Sequence, residues 1–337
     1  MASRTLKLSF LVCIWSGATA QSPPDPRTNG IVRFGPDTAF ERVEFMDEAN
    51  HRTVYYVANR TATGPVLLMI NGSGCGPTIA SSNGEGTSYL YGLLDAAWDK
   101  RFTTLLVEKP YSEPARLSDP GTARPCSAAF RTYFTRDNWV RTISEALGEV
   151  MRRDGRKRTV TILGLSEGAS VAAAVARNNP RVTHVAMIAG SGTTQAFDML
   201  LGAYSEGGSD AVIAARLEPL DHEIRQVLAD PDNPDRWFRG HPYRRWSSFF
   251  RAFPDEDLVN SRARVLILTG MSDAMSPVAT SDLLYAKLLG AGRDVTIRRL
   301  PGAGHNLLPP GSADLPSLSV EYKRIRDWAS AGSKPTP

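Results

Sequence analysis

The chain has 337 residues, a net charge of +4, 42% hydrophobic and 8% aromatic residues, and three cysteines. That hydrophobic fraction excludes a generally disordered chain, and three cysteines exclude a disulfide-dense scaffold. The slight, evenly spread charge leaves no electrostatic footprint for nucleic acid, and no apolar run approaches the roughly 18 residues of a membrane span.

In chain order, Arg4 and Lys7 precede an apolar run from Leu8 to Trp15, followed by Ala18-Thr19-Ala20. This is the pattern of a signal peptide, residues 1–20, cleaved after Ala20. Val12 before Cys13 is too large for a lipidation site, so no stable membrane anchor is expected. Residues 21–40 open on Gln21-Ser22-Pro23-Pro24-Asp25-Pro26 and read as a linker. Cleavage removes Arg4 and Lys7, taking the charge from +4 to +2, and leaves Cys75 and Cys126. In an exported, secreted or periplasmic chain these two are expected to pair, closing a loop worth roughly 4 kcal/mol in the chain-entropy account.

Glu41 to Glu48 and Arg52 to Arg60 alternate apolar and polar residues around a short turn, as a hairpin does. Continuous apolar runs follow at Pro65 to Ile70, Thr103 to Val107, Thr159 to Leu163, Val182 to Ile188 and Arg264 to Leu268. Runs of this kind fit strands buried on both faces of a largely parallel sheet. Helical stretches lie between them: Tyr89 to Asp99, Asp137 to Arg153, Glu167 to Arg177, Val278 to Leu289 and Ser317 to Ala329. Asp137 is a candidate N-cap for the second, with Val140, Ile143, Ala146, Leu147 and Val150 on one face. The alternation predicts an α/β doubly wound sheet over residues 41–192 and 263–331, with 332–337 as a tail.

Residues 193–262 break the alternation. They hold helical pieces (Ala196 to Tyr204, Asp210 to Leu217, Asp221 to Leu228) and then an aromatic-rich part. This is expected to be a helical cap over the carboxyl edge of the sheet, with Trp237, Tyr243, Trp246 and Phe249 as candidate substrate contacts. Core packing is the competing reading for most of these aromatics.

Gly164-Leu165-Ser166-Glu167-Gly168 is a G-x-S-x-G sequence between a buried-strand run and a helix, the setting of a nucleophile elbow. A serine hydroxyl needs an adjacent base, and the base an orienting acid. His305 follows the last strand-like run, Val295 to Leu300, and so opens at the same sheet edge. His51 falls in a hairpin turn, His184 in a strand, and His222 and His241 in the insertion. Asp273 ends the loop after the Arg264 run, whereas Asp255 and Asp257 precede that strand and Asp282 sits on the next helix. The predicted order is Ser166, Asp273, His305.

With Gly164-Leu165-Ser166-Glu167-Gly168, Gly270-Met271-Ser272-Asp273 and Gly304-His305, the chain resembles the α/β-hydrolase family from about Glu41 to Ala329. The resemblance implies a mostly parallel eight-stranded sheet, a cap after the sixth strand and the Ser-acid-His order. It also implies an oxyanion hole from the backbone N–H of Glu167 and a second donor in Asn71-Gly72-Ser73-Gly74-Cys75-Gly76, either Ser73 or Gly74. Asn71 stands where His-Gly is the commoner start. Lys109, at the end of another strand, is a candidate partner for Glu167, although a first-turn carboxylate favoured by the helix dipole is the simpler account.

The expected function is therefore an exported serine hydrolase, a carboxylesterase first, acting on a small-molecule or peptide substrate with no cofactor and no metal. Two alternatives stand beside it. One is a peptidase whose cap carboxylates, Asp221 or Glu223, bind an amino group. The other is an idle hydrolase fold serving as a binding module.

Overall fold

The structure, a computed structural model, describes residues 30–34, 38–48, 50–82, 85–87, 98, 100–112, 123–124, 126–312 and 315–331. The expected signal peptide, the helix at 89–99 apart from Trp98, and the tail at 332–337 lie outside the described residues.

The strands in chain order are β1 (Gly30–Phe34), β2 (Thr38–Met46), β3 (Arg52–Ala58), β4 (Val66–Ile70), β5 (Ala80–Ser82), β6 (Glu85–Thr87) and β7 (Thr103–Val107). β8 (Val160–Leu165), β9 (Val182–Ile188), the two-residue β10 (Trp237–Phe238) and β11 (His241–Pro242), β12 (Arg264–Gly270) and β13 (Val295–Leu300) complete them. The helices are α1 (Ala128–Tyr133), α2 (Arg136–Asp154), α3 (Glu167–Asn178), α4 (Gln195–Ser205), α5 (Asp210–Ala229), α6 (Tyr243–Phe250), α7 (Pro254–Val259), α8 (Val278–Gly290) and α9 (Leu315–Ser330).

The main sheet runs β13-β12-β9-β8-β4-β7-β3-β2-β1-β6-β5. From β7 to β13 every pairing is parallel, while β3 pairs antiparallel with both β7 and β2. Strands β2 to β13 of this order are the eight expected. β1, β6 and β5 extend one edge. Part of the expected linker is therefore strand. Residues 30–34 and 38–40 pair across β1 and β2, and Val32 and Phe40 point inward to bury their side chains. An alternating apolar pattern outweighs the proline-rich stretch that precedes it.

The continuous apolar runs are buried on both faces. Along β4, Val66, Leu68 and Ile70 join one core cluster, and Leu67 and Met69 join the other. Val265 and Ile267 of β12 likewise face one cluster, and Leu266 and Leu268 the other. This period-2 division is what strands covered by helices on both sides require.

α2 buries Val140, Ile143, Ala146, Leu147 and Val150 as expected. Its N-cap is Thr135, whose side chain accepts from Asn138 N at 3.2 Å, and not Asp137, which lies in the first turn. Asp137 is displaced because Arg136 is already helical. The Arg136 guanidinium is buried on Ser170 and Asp257, tying α2 to α3 and α7.

Between β9 and β12 the chain forms α4 to α7 and the β10–β11 ribbon. The two helical pieces expected at 210–228 are one helix, α5, which runs through Pro219. Pro219 lacks the N–H that a helix interior would bond to Ala215. Leu220, Ile224, Val227, Phe238, Tyr243, Trp246 and Phe250 form an apolar cluster of their own, whereas Phe249 and Leu258 belong to the core of the sheet.

Candidate active site

β8 runs straight into α3 through Ser166, whose φ of 53° and ψ of −121° place it outside the ordinary regions for a side-chain-bearing residue. Such a conformation costs about 1–3 kcal/mol and persists only where neighbours enforce it. Here Ser166 N donates to Ile188 O at 2.8 Å. The flanking glycines permit close approach. A Cβ on Gly164 would lie 2.6 Å from Gly168 O, and one on Gly168 would lie 2.3 Å from Asn71 O. The result lifts the Ser166 hydroxyl clear of the backbone at the carboxyl edge of the sheet.

Two loops at that edge reach it. Ser166 Oγ lies 2.9 Å from His305 Nε2, and His305 Nδ1 lies 2.9 Å from Asp273 Oδ2. Asp273 Oδ1 accepts from the N–H groups of Met275 and Ser276 at 2.8 and 3.0 Å. The Asp273 side chain is fully buried while His305 keeps 26% exposure, so the acid is shielded and the base faces the cavity. In the tautomer that donates from Nδ1 to Asp273, Nε2 accepts from the serine hydroxyl. Ser166, Asp273 and His305, predicted from separate parts of the chain, form one hydrogen-bonded chain.

The loop after β4 lies beside the serine. A Cβ on Gly72 would stand 3.2 Å from Ser166 Cβ, and Ser73 shares a cavity wall with Ser166 and Glu167. Gly74 is buried, with φ 90°. Cys75 and Cys126 form a disulfide that anchors the end of the loop.

Beneath the loop, Lys109 does not pair with Glu167. Its ammonium donates to the carbonyls of Gly72 and, at 2.9 Å, Gly74, and it sits 4.3 Å from the Trp139 ring centroid. Burial pulls the Lys109 amine down to about 7. Its neighbour Glu108 accepts from Thr78 N and Ile79 N, and burial pushes its carboxyl up to about 7 against those bonds. Glu167 instead meets Arg245 of α6 in a buried ion pair. Arg245 lies 3.9 Å over the Trp246 ring and 4.6 Å over Phe249, and burial lowers its guanidinium to about 9.

A cavity of about 800 Å³ opens above Ser166 and His305. Met199, Ala203, Leu220, Trp246 and Met275 give it apolar walls, and Asp198, Arg245 and His241 give it buried polar ones. Of the four aromatics expected to touch substrate, only Trp246 lines it. Phe249 is in the sheet core, Tyr243 in the helical cluster, and half-buried Trp237 stacks under Arg124 and Arg131. Rings at helical spacing bury against whichever layer they face, so most became core.

Asp221 is exposed and pairs with Arg225, and neither it nor Glu223 lines the cavity. Two carboxylates of this segment line the cavity: exposed Glu206, which pairs with Arg216, and Asp198 of α4, pushed up to about 7 by burial. Sequence reading missed Asp198 and Arg245. The latter carried one usable signal, an arginine four residues before Phe249 in an aromatic helix. Among the described residues, no group of three or more His, Cys, Asp or Glu is placed to hold a metal ion. None of the described helices is long and apolar enough to cross a membrane.

Residues 66–314 match the Alpha/beta hydrolase family, and this chain belongs to that family. No curated protein matches the chain. Among solved structures it is similar to DcsB in complex with a substrate analogue, at 14% identity and TM-score 0.54 over 86% of this chain and 99% of that one. It is also similar to Est1E from Butyrivibrio proteoclasticus, at 10% identity and TM-score 0.51 over 86% and 97%. Acylaminoacyl peptidase from Pyrococcus horikoshii matches at 16% identity and TM-score 0.56, over 86% of this chain but only 41% of that one. At these identities the likeness concerns the fold.

Proposed function

We propose that this chain is a serine hydrolase that cleaves ester-type bonds, a carboxylesterase, with Ser166, His305 and Asp273 as its triad. The carrying observation is the 2.9 Å chain from Ser166 Oγ through His305 to Asp273, on a strained turn at the floor of a cavity. Ser166 Oγ attacks the carbonyl carbon and its proton passes to His305 Nε2. The oxyanion is held by the N–H of Glu167 and by one from Ser73 or Gly74, each donor worth about 3 kcal/mol in the transition state. His305 then protonates the leaving alkoxide, and the acyl-enzyme forms. Water, losing a proton to His305, attacks that acyl group and frees the acid and Ser166. Segment 193–262 serves as the cap.

A peptidase reading is favoured by one observation: Asp198 is a buried carboxylate on the cavity wall, suited to a substrate amine. Rates on p-nitrophenyl esters and aminoacyl anilides separate the two readings. Ester hydrolysis by wild type that is lost in Ser166→Ala supports the proposal, and equal rates in both overturn it. Residues 1–20 are proposed to direct export, in keeping with the Cys75–Cys126 disulfide, which persists in oxidising compartments.

A further inference from the structure

We infer that Lys109 is a positioning residue that aims the Ser73 N–H at the oxyanion, so that Ser73 and not Gly74 is the second donor. The inference rests on the hydrolase reading of Ser166. In a trans peptide the C=O of one residue and the N–H of the next lie in one plane and point in opposite directions. The Gly72 carbonyl is turned down onto the Lys109 ammonium. The N–H of Ser73 therefore points away from Lys109, and Ser73 lines the cavity together with Ser166. The Gly74 carbonyl is held by the same ammonium at 2.9 Å, which fixes the next-but-one peptide plane as well.

The rest of the loop is tied from the same place. Cys75 is bonded to Cys126, and Glu108 accepts the N–H groups of Thr78 and Ile79. Adjacent residues at the carboxyl end of β7 thus hold the loop from both ends, Lys109 by its carbonyls and Glu108 by its amides.

Lys109 has little to contribute to folding for its own sake. It is 5% exposed, none of the described carboxylates forms an ion pair with it, and the rings of Trp139 and Phe134 lie against it. Taking an ammonium out of water is costly, and a methionine stem would fill the same space more cheaply. What an apolar side chain cannot do is donate to two backbone carbonyls and so set the direction of the Gly72–Ser73 peptide.

The test compares wild type with Lys109→Met on p-nitrophenyl butyrate, together with inhibition by butylboronic acid, which forms a tetrahedral adduct on the serine. A fall of about 10²-fold in kcat, with KM within about threefold and boronate affinity weakened by a factor similar to that in kcat, is expected from loss of one aimed donor. Unchanged kcat and unchanged boronate affinity in Lys109→Met overturn the inference. A purely structural defect would lower Tm or raise KM without tracking the boronate.

Amide NMR of wild type supplies a second measurement that does not depend on the variant folding. On boronate binding the Ser73 amide proton is expected to move downfield and that of Gly74 to stay, and the reverse contradicts the assignment. A wild type that neither hydrolyses the ester nor binds boronate overturns the hydrolase reading, and with it this inference.

Discussion

Glu167 follows Ser166 at the start of α3, and its carboxylate holds Arg245. Both side chains are almost wholly removed from water, so their pairing offsets a large desolvation cost. Glu167→Gln leaves Arg245 as an uncompensated buried cation, and a loss of about 3–5 kcal/mol in denaturant unfolding is expected. The double variant Glu167→Gln, Arg245→Met should recover much of that loss. A double variant no more stable than the single one contradicts the pairing as the cause.

Asp198 gives a pH signature at the same scale. Burial raises its carboxyl from 3.8 to about 7, so the folded protein binds more protons than the unfolded chain between those values. Its contribution is fully present below the unfolded pKa and is lost as pH rises through the folded one. The stability difference between wild type and Asp198→Asn should therefore move against wild type by about 3 kcal/mol from pH 4 to pH 7. A difference that stays constant across that range contradicts a raised pKa. Arg245, Asp198 and the role of Lys109 were hard to read in the sequence because each depends on a distant segment. Arg245 and Glu167 are 78 positions apart, and Lys109 and Gly72 are 37 apart. Ser166 was legible because its strand, glycines and helix are its immediate neighbours.

At the scale of elements, the strands buried on both faces declared themselves as continuous apolar runs, and the amphipathic face of α2 was legible in its spacing. The helix start was not, since Thr135 and Asp137 are both good capping residues. What separates them is the burial of Arg136 on Ser170 and Asp257, a tertiary effect. Thr135→Ala should cost about 1 kcal/mol of stability, and Asp137→Ala clearly less, as measured by urea unfolding. Equal losses would mean that the cap bond at Asn138 contributes nothing. α5 shows the opposite failure of local reasoning: Pro219 suggests a break, yet the chain stays helical on both sides of it, held by Leu220, Ile224 and Val227 in the apolar cluster.

Across the whole molecule, the eight expected strands form the middle of the sheet, and what the sequence hid was the extension by β1, β6 and β5. The parts of the candidate site come from the ends of β4, β8, β12 and β13, which meet because parallel strands bring their carboxyl ends to one edge. The Cys75–Cys126 disulfide spans 51 positions and couples this edge to the start of α1. Replacing both cysteines by serine should lower stability by about 4 kcal/mol in the chain-entropy account. It should also slow ester hydrolysis, because the loop carrying Ser73 loses one anchor. Unchanged stability and rate would mean that the remaining contacts hold the loop without it.

The central claim is that Ser166 is an activated nucleophile, and covalent labelling by a fluorophosphonate tests it most directly. Mass mapping of the labelled wild type should find one adduct per chain on the peptide bearing Ser166, with none in Ser166→Ala. Failure of the folded wild type to react, or an adduct elsewhere with Ser166 unmodified, would contradict the account.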